Sequence, residues 1–203
     1  MKLLIIIGSN RKGGTSNKVL SLIKNHLGVR ANIQELWLKD YNITFCDADN
    51  ACHDKDCIIQ DGTIRILDFM LKADAILYMP VMHAYGTNSR FQAFLERIGY
   101  GYLRNRNRPL KDKIASVVVV GRRYGHLNVF SQIVLNIMLN KMIMIGSGFP
   151  VTFQTQFTHD SEAEESLKST LDRMHEFYLK MKIHEVRNVL DRKIIEEIRK
   201  QTG

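Results

Sequence analysis

Ten residues near the start of the chain, GSNRKGGTSN at positions 8–17, bring together three glycines, three hydroxyls, an arginine and two asparagines ahead of a segment with helical apolar spacing. Backbone N–H groups, hydroxyl donors and the positive end of a helix dipole are the parts that bind phosphate. Arg11 adds charge-assisted bonds to that set. The Walker pattern GxxxxGK[ST] is broken, because Gly14 stands where its lysine would reach the β- and γ-phosphates. The GxGxxG dinucleotide fingerprint is absent as well. A terminal monophosphate therefore fits better than a triphosphate or a pyrophosphate. The plain alternative is a serine-rich turn between a strand and a helix.

All three cysteines fall in one stretch, Cys46-x2-Asp49-x2-Cys52-x4-Cys57. A cysteine in place of Asp49 would complete C-x2-C-x2-C-x4-C, a spacing suited to a cubane cluster whose irons are held by thiolates on a compact loop. Three readings stand open. The loop holds a [4Fe-4S] or [3Fe-4S] cluster, with Asp49 as fourth ligand or one iron vacant. It has lost its cluster. Or Cys46, Cys52 and Cys57 build a tetrahedral zinc site with Asp49 or His53.

Two further loops follow apolar runs: Pro80-Val81-Met82-His83, and Gly121-Arg122-Arg123-Tyr124-Gly125. The elements that must position all of these alternate between two periods. Residues 1–7 (MKLLIII), 75–79 (AILYM) and 114–120 (IASVVVV) are continuous apolar runs, as buried parallel strands require. Residues 31–38 read as another strand, and 144–145 begin a fifth. Between them run helical patterns: 15–27, with Thr15 or Ser16 as N-cap; a helix capped by Asp61 with Ile64, Leu67, Phe69, Met70 and Leu71 on its face; a helix reaching about residue 98; and an apolar helix over 129–142. Residues 99–113 read as a solvated basic connection. From 160 to 200 the pattern is helical, with one stripe of Leu167, Leu171, Met174, Tyr178 and Met181, and another of Val186, Val189, Leu190, Ile194, Ile195 and Ile198. The first stripe is expected to dock on the sheet and the second to cover a partner subunit. The pattern predicts a doubly wound α/β domain, in which ligands sit beyond the carboxyl ends of the strands.

The 203 residues are 45% apolar and 25% charged, ordinary for a folded domain, with Lys+Arg 29 against Asp+Glu 21 giving +8. That excess suits an anionic partner, and Arg104, Arg106 and Arg108 could dock an acidic carrier protein. No helix-turn-helix, RNA-binding aromatic motif or basic stripe is legible, so nucleic acid is not expected. No run is long enough to span a bilayer or to form a signal-peptide core, and three cysteines do not make a secreted disulfide framework, so membrane association is not expected and the expected compartment is the cytoplasm.

Taken together, Gly8-Ser9-Asn10-Arg11 with Thr15-Ser16-Asn17, Ala73-Asp74-Ala75 through Pro80-Val81, and Phe94-Leu95-Glu96-Arg97 resemble the flavodoxin-like NAD(P)H-dependent FMN reductases over about residues 1–150. The cysteine loop, followed by Ile58-Ile59-Gln60-Asp61, resembles the iron–sulfur flavoprotein branch of that family. The resemblance implies a flavodoxin-like, five-stranded parallel sheet of order 2-1-3-4-5 over residues 1–158, with the cysteine loop at 45–60 and a C-terminal helical extension at 159–203. It implies an FMN phosphate on Ser9, Arg11, Thr15, Ser16 and Asn17, and a flavin ring edge against Pro80, Val81, Met82 and His83. Gly121, Arg122, Tyr124 and Gly125 would lie beside that ring. NAD(P)H would be the cosubstrate, and a flavin, a quinone or the cluster the acceptor, with no protein residue required as catalytic acid or base. The alternative is an electron carrier fed by a ferredoxin-like donor without NAD(P)H turnover. A homodimer or homotetramer is expected.

Overall fold

The computed structural model describes residues 1–47, 51–53, 55–103 and 106–202. The apolar runs form the strands they predict. Strands β1 (Lys2–Ile7), β3 (Ala75–Met79) and β6 (Ile114–Gly121) are buried almost throughout, because helices cover both faces of the sheet. With β2 (Asn32–Trp37) they stand in the order β2-β1-β3-β6, every pair parallel. The fold is the doubly wound α/β arrangement that the alternating periods imply, and it is flavodoxin-like, as the resemblance implies.

The fifth position of the sheet is shared rather than filled by one strand. After the short hairpin strands β4 (Met82–His83) and β5 (Gly86–Thr87), the chain supplies β7 (Ile143–Met144), which pairs with Ile114 and Ala115, and β8 (Val151–Gln154), which pairs with Val118 to Gly121. Between β7 and β8 the chain leaves the sheet through Gly148, at φ +102°, and the exposed Phe149 and Pro150. The sequence shows only the start of this edge, since a two-residue strand carries no readable alternation.

Side chains divide cleanly by strand face. Leu4, Ile6, Ile76, Tyr78, Val117 and Val119 point to a core shared with Ile66 and Met70 of α2 (Thr63–Lys72), Phe91 and Phe94 of α3 (Ser89–Phe94), and Ile133 and Ile137 of α4 (His126–Leu139). Leu3, Ile5, Ile7, Leu77, Val118 and Val120 point to the other, shared with Val19, Leu20, Ile23 and Leu27 of α1 (Thr15–Leu27) and Leu167, Leu171 and Met174 of α5 (Ser161–Thr202). The helical stripe that starts at Leu167 thus docks on the sheet as expected. Leu171 is 0% exposed, and Leu171→Ala is expected to destabilise the protein by about 2–5 kcal/mol through the cavity it leaves, read by urea denaturation.

Several local expectations are corrected. The buried face of α2 is Thr63, Ile66, Leu67 and Met70, while Ile64 and Leu71 are partly exposed. Helix α4 begins at His126, three residues earlier than its apolar pattern, since its first turn lies beside the sheet end. Helix α3 does not run on as an α-helix but widens into π-helical turns over Leu95–Tyr102. The stretch 99–113 is not simply solvated, because Leu103 and Leu110 are fully buried. The second C-terminal stripe continues the same helix, about 63 Å long at 1.5 Å per residue, with Val186 and Val189 exposed. The side chains of Leu190, Ile194, Ile195 and Ile198 lie outside the described residues. Among the described residues no helix is long and apolar enough to cross a membrane.

Candidate functional site

Three loops meet at the carboxyl end of the sheet. The first leaves β1 at Gly8, whose N–H donates to the Met79 carbonyl at 2.9 Å, and whose own carbonyl accepts from Asn88 Nδ2 at 2.6 Å. Gly8 is obligatory here: a Cβ would lie 2.7 Å from the Phe91 ring and 3.2 Å from the Pro80 Cα. Ser9 is buried, and its hydroxyl accepts the Arg11 N–H at 3.1 Å, folding the loop back on itself. The guanidinium-bearing Arg11 is exposed at the loop crest. Thr15, Ser16 and Asn17 form the first turn of α1, with Ser16 buried and Asn17 exposed. Neither Thr15 nor Ser16 is the N-cap. That position is Gly14, which has no side chain to satisfy the first-turn N–H groups. The hydroxyls of the turn are therefore not consumed as caps of the helix they begin.

The second loop leaves β3. Pro80 is buried, and its carbonyl accepts the Val120 N–H at 3.1 Å; Val81 bridges to Val120 in parallel register. Met82 and His83 then pair antiparallel with Thr87 and Gly86. The hairpin tip is Ala84 at φ +46° and Tyr85 at φ +67°, the twist that a two-residue hairpin demands, here on side chains that rarely adopt it. The tip packs on the third loop: a Cβ at Gly125, itself at φ +86°, would lie 2.9 Å from the Tyr85 Cα.

Met82, Ala84, Tyr85, Arg122, Arg123 and Tyr124 line a largely apolar cleft of about 390 Å³. Tyr85 and Tyr124 are exposed along it, and the Arg123 guanidinium lies 5.7 Å from the Tyr124 ring centre. Of the residues read from sequence for a planar ring, Met82, Arg122 and Tyr124 come together at this cleft. Gly121 and Gly125 form the loop behind it, and Pro80 and Val81 its root. His83 is exposed on the hairpin and does not line it. Sequence reasoning missed His126. It is 7% exposed, its Nε2 has no hydrogen-bond partner, and a Cβ at Gly121 would stand 2.8 Å from that nitrogen. A histidine opening an apolar helix directly after the glycine loop was the available signal.

An apolar cleft with positive charge on one side, and a glycine-started helix with free hydroxyls on the other, fit the two ends of a flavin mononucleotide. The cysteine segment is different. Cys46, Cys52 and Cys57 are half-buried and in no disulfide. Among the described residues no three His, Cys, Asp or Glu side chains converge as metal ligands, and Asp49 lies outside the described residues.

What the segment does have is a pinned neck, also missed in the sequence. The side chains of Arg97 and Asp61, each 2% exposed, form an ion pair at 2.6 Å. Arg97 Nη1 also donates to the Thr44 carbonyl at 3.0 Å, and Nη2 to the Ile59 carbonyl at 3.1 Å, with the Cys57 sulfur at 3.6 Å. Asp61 accepts the N–H groups of Thr44 and Thr63, each at 2.9 Å. It binds the start of α2 from one residue before the cap, which is Gly62. Burial alone would push the Asp61 carboxyl up, but these N–H groups and the Arg97 guanidinium outweigh it and hold the group below its usual range. Arg106 is likewise no free docking charge, since it donates to Asp56 at 2.7 Å and to the Lys55 carbonyl, while Arg104 lies outside the described residues.

Comparison with known proteins gives a family and supports the fold. Residues 1–156 match the sequence profile of a family described as NADPH-dependent FMN reductase. A curated relative from Archaeoglobus fulgidus, named iron-sulfur flavoprotein, is 34% identical over 132 residues, 62% of each chain. The chain thus spans about 62% of the length of that relative. Among solved structures, FerB from Paracoccus denitrificans, described as a flavoenzyme NAD(P)H:(acceptor) oxidoreductase, superposes with TM-score 0.65 at 14% identity, covering 88% of this chain and 97% of that one. A flavodoxin, WrbA-like protein from Agrobacterium tumefaciens gives TM-score 0.61 at 12% identity, over 88% and 98%. At such identities these two structures speak for the fold alone.

Proposed function

The chain belongs to the NADPH-dependent FMN reductase family, and from that premise we propose that it is an FMN-dependent oxidoreductase taking reducing equivalents from NAD(P)H and passing them to a flavin, a quinone or an iron–sulfur acceptor. The observation that carries this is that the loop leading into the glycine-capped α1 is tied at Gly8 to Met79, Pro80 and Asn88, at the root of the β4–β5 hairpin that lines the apolar cleft. Bound FMN would supply acceptance of a hydride and release of electrons, chemistry that no side chain here possesses. Ser9, Arg11, Thr15, Ser16 and Asn17 would hold its phosphate. Pro80, Val81 and Met82 would support one edge of the ring from β3, with His83 on the outer face of the hairpin. Gly121 and Gly125, whose missing side chains let His126, Met82 and the Tyr85 tip close in, would lie beside the ring. Arg122, with Tyr124 beside it, would place positive charge and donors near a ring that gains negative charge on reduction. No residue is assigned as a catalytic acid or base.

Two measurements test this. Recombinant protein that is colourless, and stays so after soaking in excess FMN, would end the proposal. Where flavin binds, stopped-flow mixing with NADH and NADPH should bleach it. We expect Arg11→Ala and Ser16→Ala each to weaken flavin binding by about 1–3 kcal/mol, read by fluorescence titration.

A second reading is an electron carrier fed by a ferredoxin-like protein. The clustering of Cys46, Cys52 and Cys57, and the name of the Archaeoglobus relative, favour it. It requires iron and sulfide in anaerobically purified protein, together with flavin that neither pyridine nucleotide bleaches. A second copy of the chain on the exposed face of α5 near Val186 and Val189 would give the homodimer or homotetramer, which gel filtration measures.

A further inference from the structure

The segment between Thr44 and Asp61 carries all three cysteines, and its two ends are brought together by one side chain from elsewhere. Arg97 reaches the entering strand of the neck at the Thr44 carbonyl. It reaches the leaving strand at Ile59, Asp61 and the Cys57 sulfur. A planar fork can serve acceptors in these divergent directions, whereas a single ammonium cannot. The residue sits in the π-helical turns that continue α3. Such widened turns are uncommon and concentrate at functional places. The other end of the same helix touches the phosphate loop: Asn88, its cap, donates to the Gly8 carbonyl at 2.6 Å, and Arg90 donates to Asn10 Oδ1 at 2.6 Å. Phe91 and Phe94, both buried and in edge-to-face contact, fix the helix against the sheet. One rigid element therefore holds the phosphate loop at its start and the cysteine loop two turns later.

We propose that Arg97 is a positioning residue: it seats the cysteine loop on the helix that braces the flavin phosphate loop, so that occupancy of one loop tightens the neck of the other. The link to occupancy rests on the FMN reading above; the seating does not. Ligand that orders Asn10 and the Gly8 turn restrains Asn88 and Arg90, and the helix passes that restraint to Arg97. A coupling of this kind is a difference in opening equilibria, which amide exchange reads directly.

The test follows exchange of the Thr44 and Thr63 amides, both bonded to Asp61, in the full chain with and without FMN. In Arg97→Lys we expect both amides to exchange at least tenfold faster without flavin, a rise clearly larger than that at amides of β1 and β6, and FMN to give them no added protection. In the native sequence FMN should slow them severalfold. Unchanged Thr44 and Thr63 exchange in Arg97→Lys overturns the proposal. So does faster exchange spread equally over β1 and β6, which would make Arg97 a general stabiliser. Added protection by FMN that survives in Arg97→Lys also overturns it. Should Arg97→Lys fail to fold, the native protein decides alone: exchange of Thr44 and Thr63 that bound FMN does not slow overturns the coupling. Absence of flavin binding to the native protein would sink the FMN reading, yet leave the flavin-free comparison to stand or fall by itself.

Discussion

Replacing Gly8 by valine is expected to yield a protein that neither retains FMN nor reaches native stability. The Cβ alone would meet the Phe91 ring at 2.7 Å and the backbone of Pro80 and Val81 at 3.2 Å, and valine adds two methyl groups beyond it. Phe91 has nowhere to go, being 0% exposed and packed edge-on against Phe94. Overpacking of a tight site costs about 1–3 kcal/mol, and the branched side chain belongs at the upper end of that range. The strain falls on the junction of the two loops that would hold the phosphate and the ring edge, so flavin binding should fail together with stability. Urea denaturation and flavin titration of the variant measure both effects. Wild-type flavin affinity in a folded Gly8→Val protein would show that the turn after β1 is not the cradle.

Removal of the guanidinium at the neck should be the costliest single change. Arg97→Met leaves the Asp61 carboxylate buried without its counter-charge, and such a truncation costs about 3–5 kcal/mol. The effect has a pH signature. In the native protein the Asp61 carboxyl is held below its usual range, so its contribution is present above the unfolded value of about 3.9 and is lost as pH falls through the folded value. In the variant the Thr44 and Thr63 N–H groups still oppose burial, but loss of the guanidinium moves the same group up from its native position, and protonation relieves the unpaired charge. The stability difference between the two proteins should thus be full at neutral pH and shrink below about pH 4. Denaturation series at pH 7 and pH 3.5 check this. An equal difference at both values would mean that the loss is one of packing alone.

The sheet order was legible because β1, β3 and β6 are apolar on both faces, a pattern that only a covered parallel strand tolerates. Loop 8–17 was legible for a similar reason, since glycine and hydroxyl side chains crowd where little else would need them. What escaped depends on residues far apart in the chain. Nothing near Arg97 announces that it will meet Asp61, Thr44 and Ile59, 36 to 53 residues away. His126 reads as the polar start of a helix until the fold sets it beneath Gly121. Ala84 and Tyr85 carry no glycine or asparagine to mark a tight turn, and the contact with Gly125 reveals why the chain bends there. The division of the fifth strand was invisible because each half is set by pairing with β6 rather than by any pattern of its own.

That divided edge also governs how the molecule meets its own kind. A sheet margin offering a long row of unpaired amides and carbonyls is a template on which copies can polymerise. Here β7 ends after two residues, the backbone swings out through Gly148 and Pro150, and β8 resumes for only four. Crowded neighbours find two short, interrupted ledges in place of a continuous rail, and ribbon growth from this side has no straight seed.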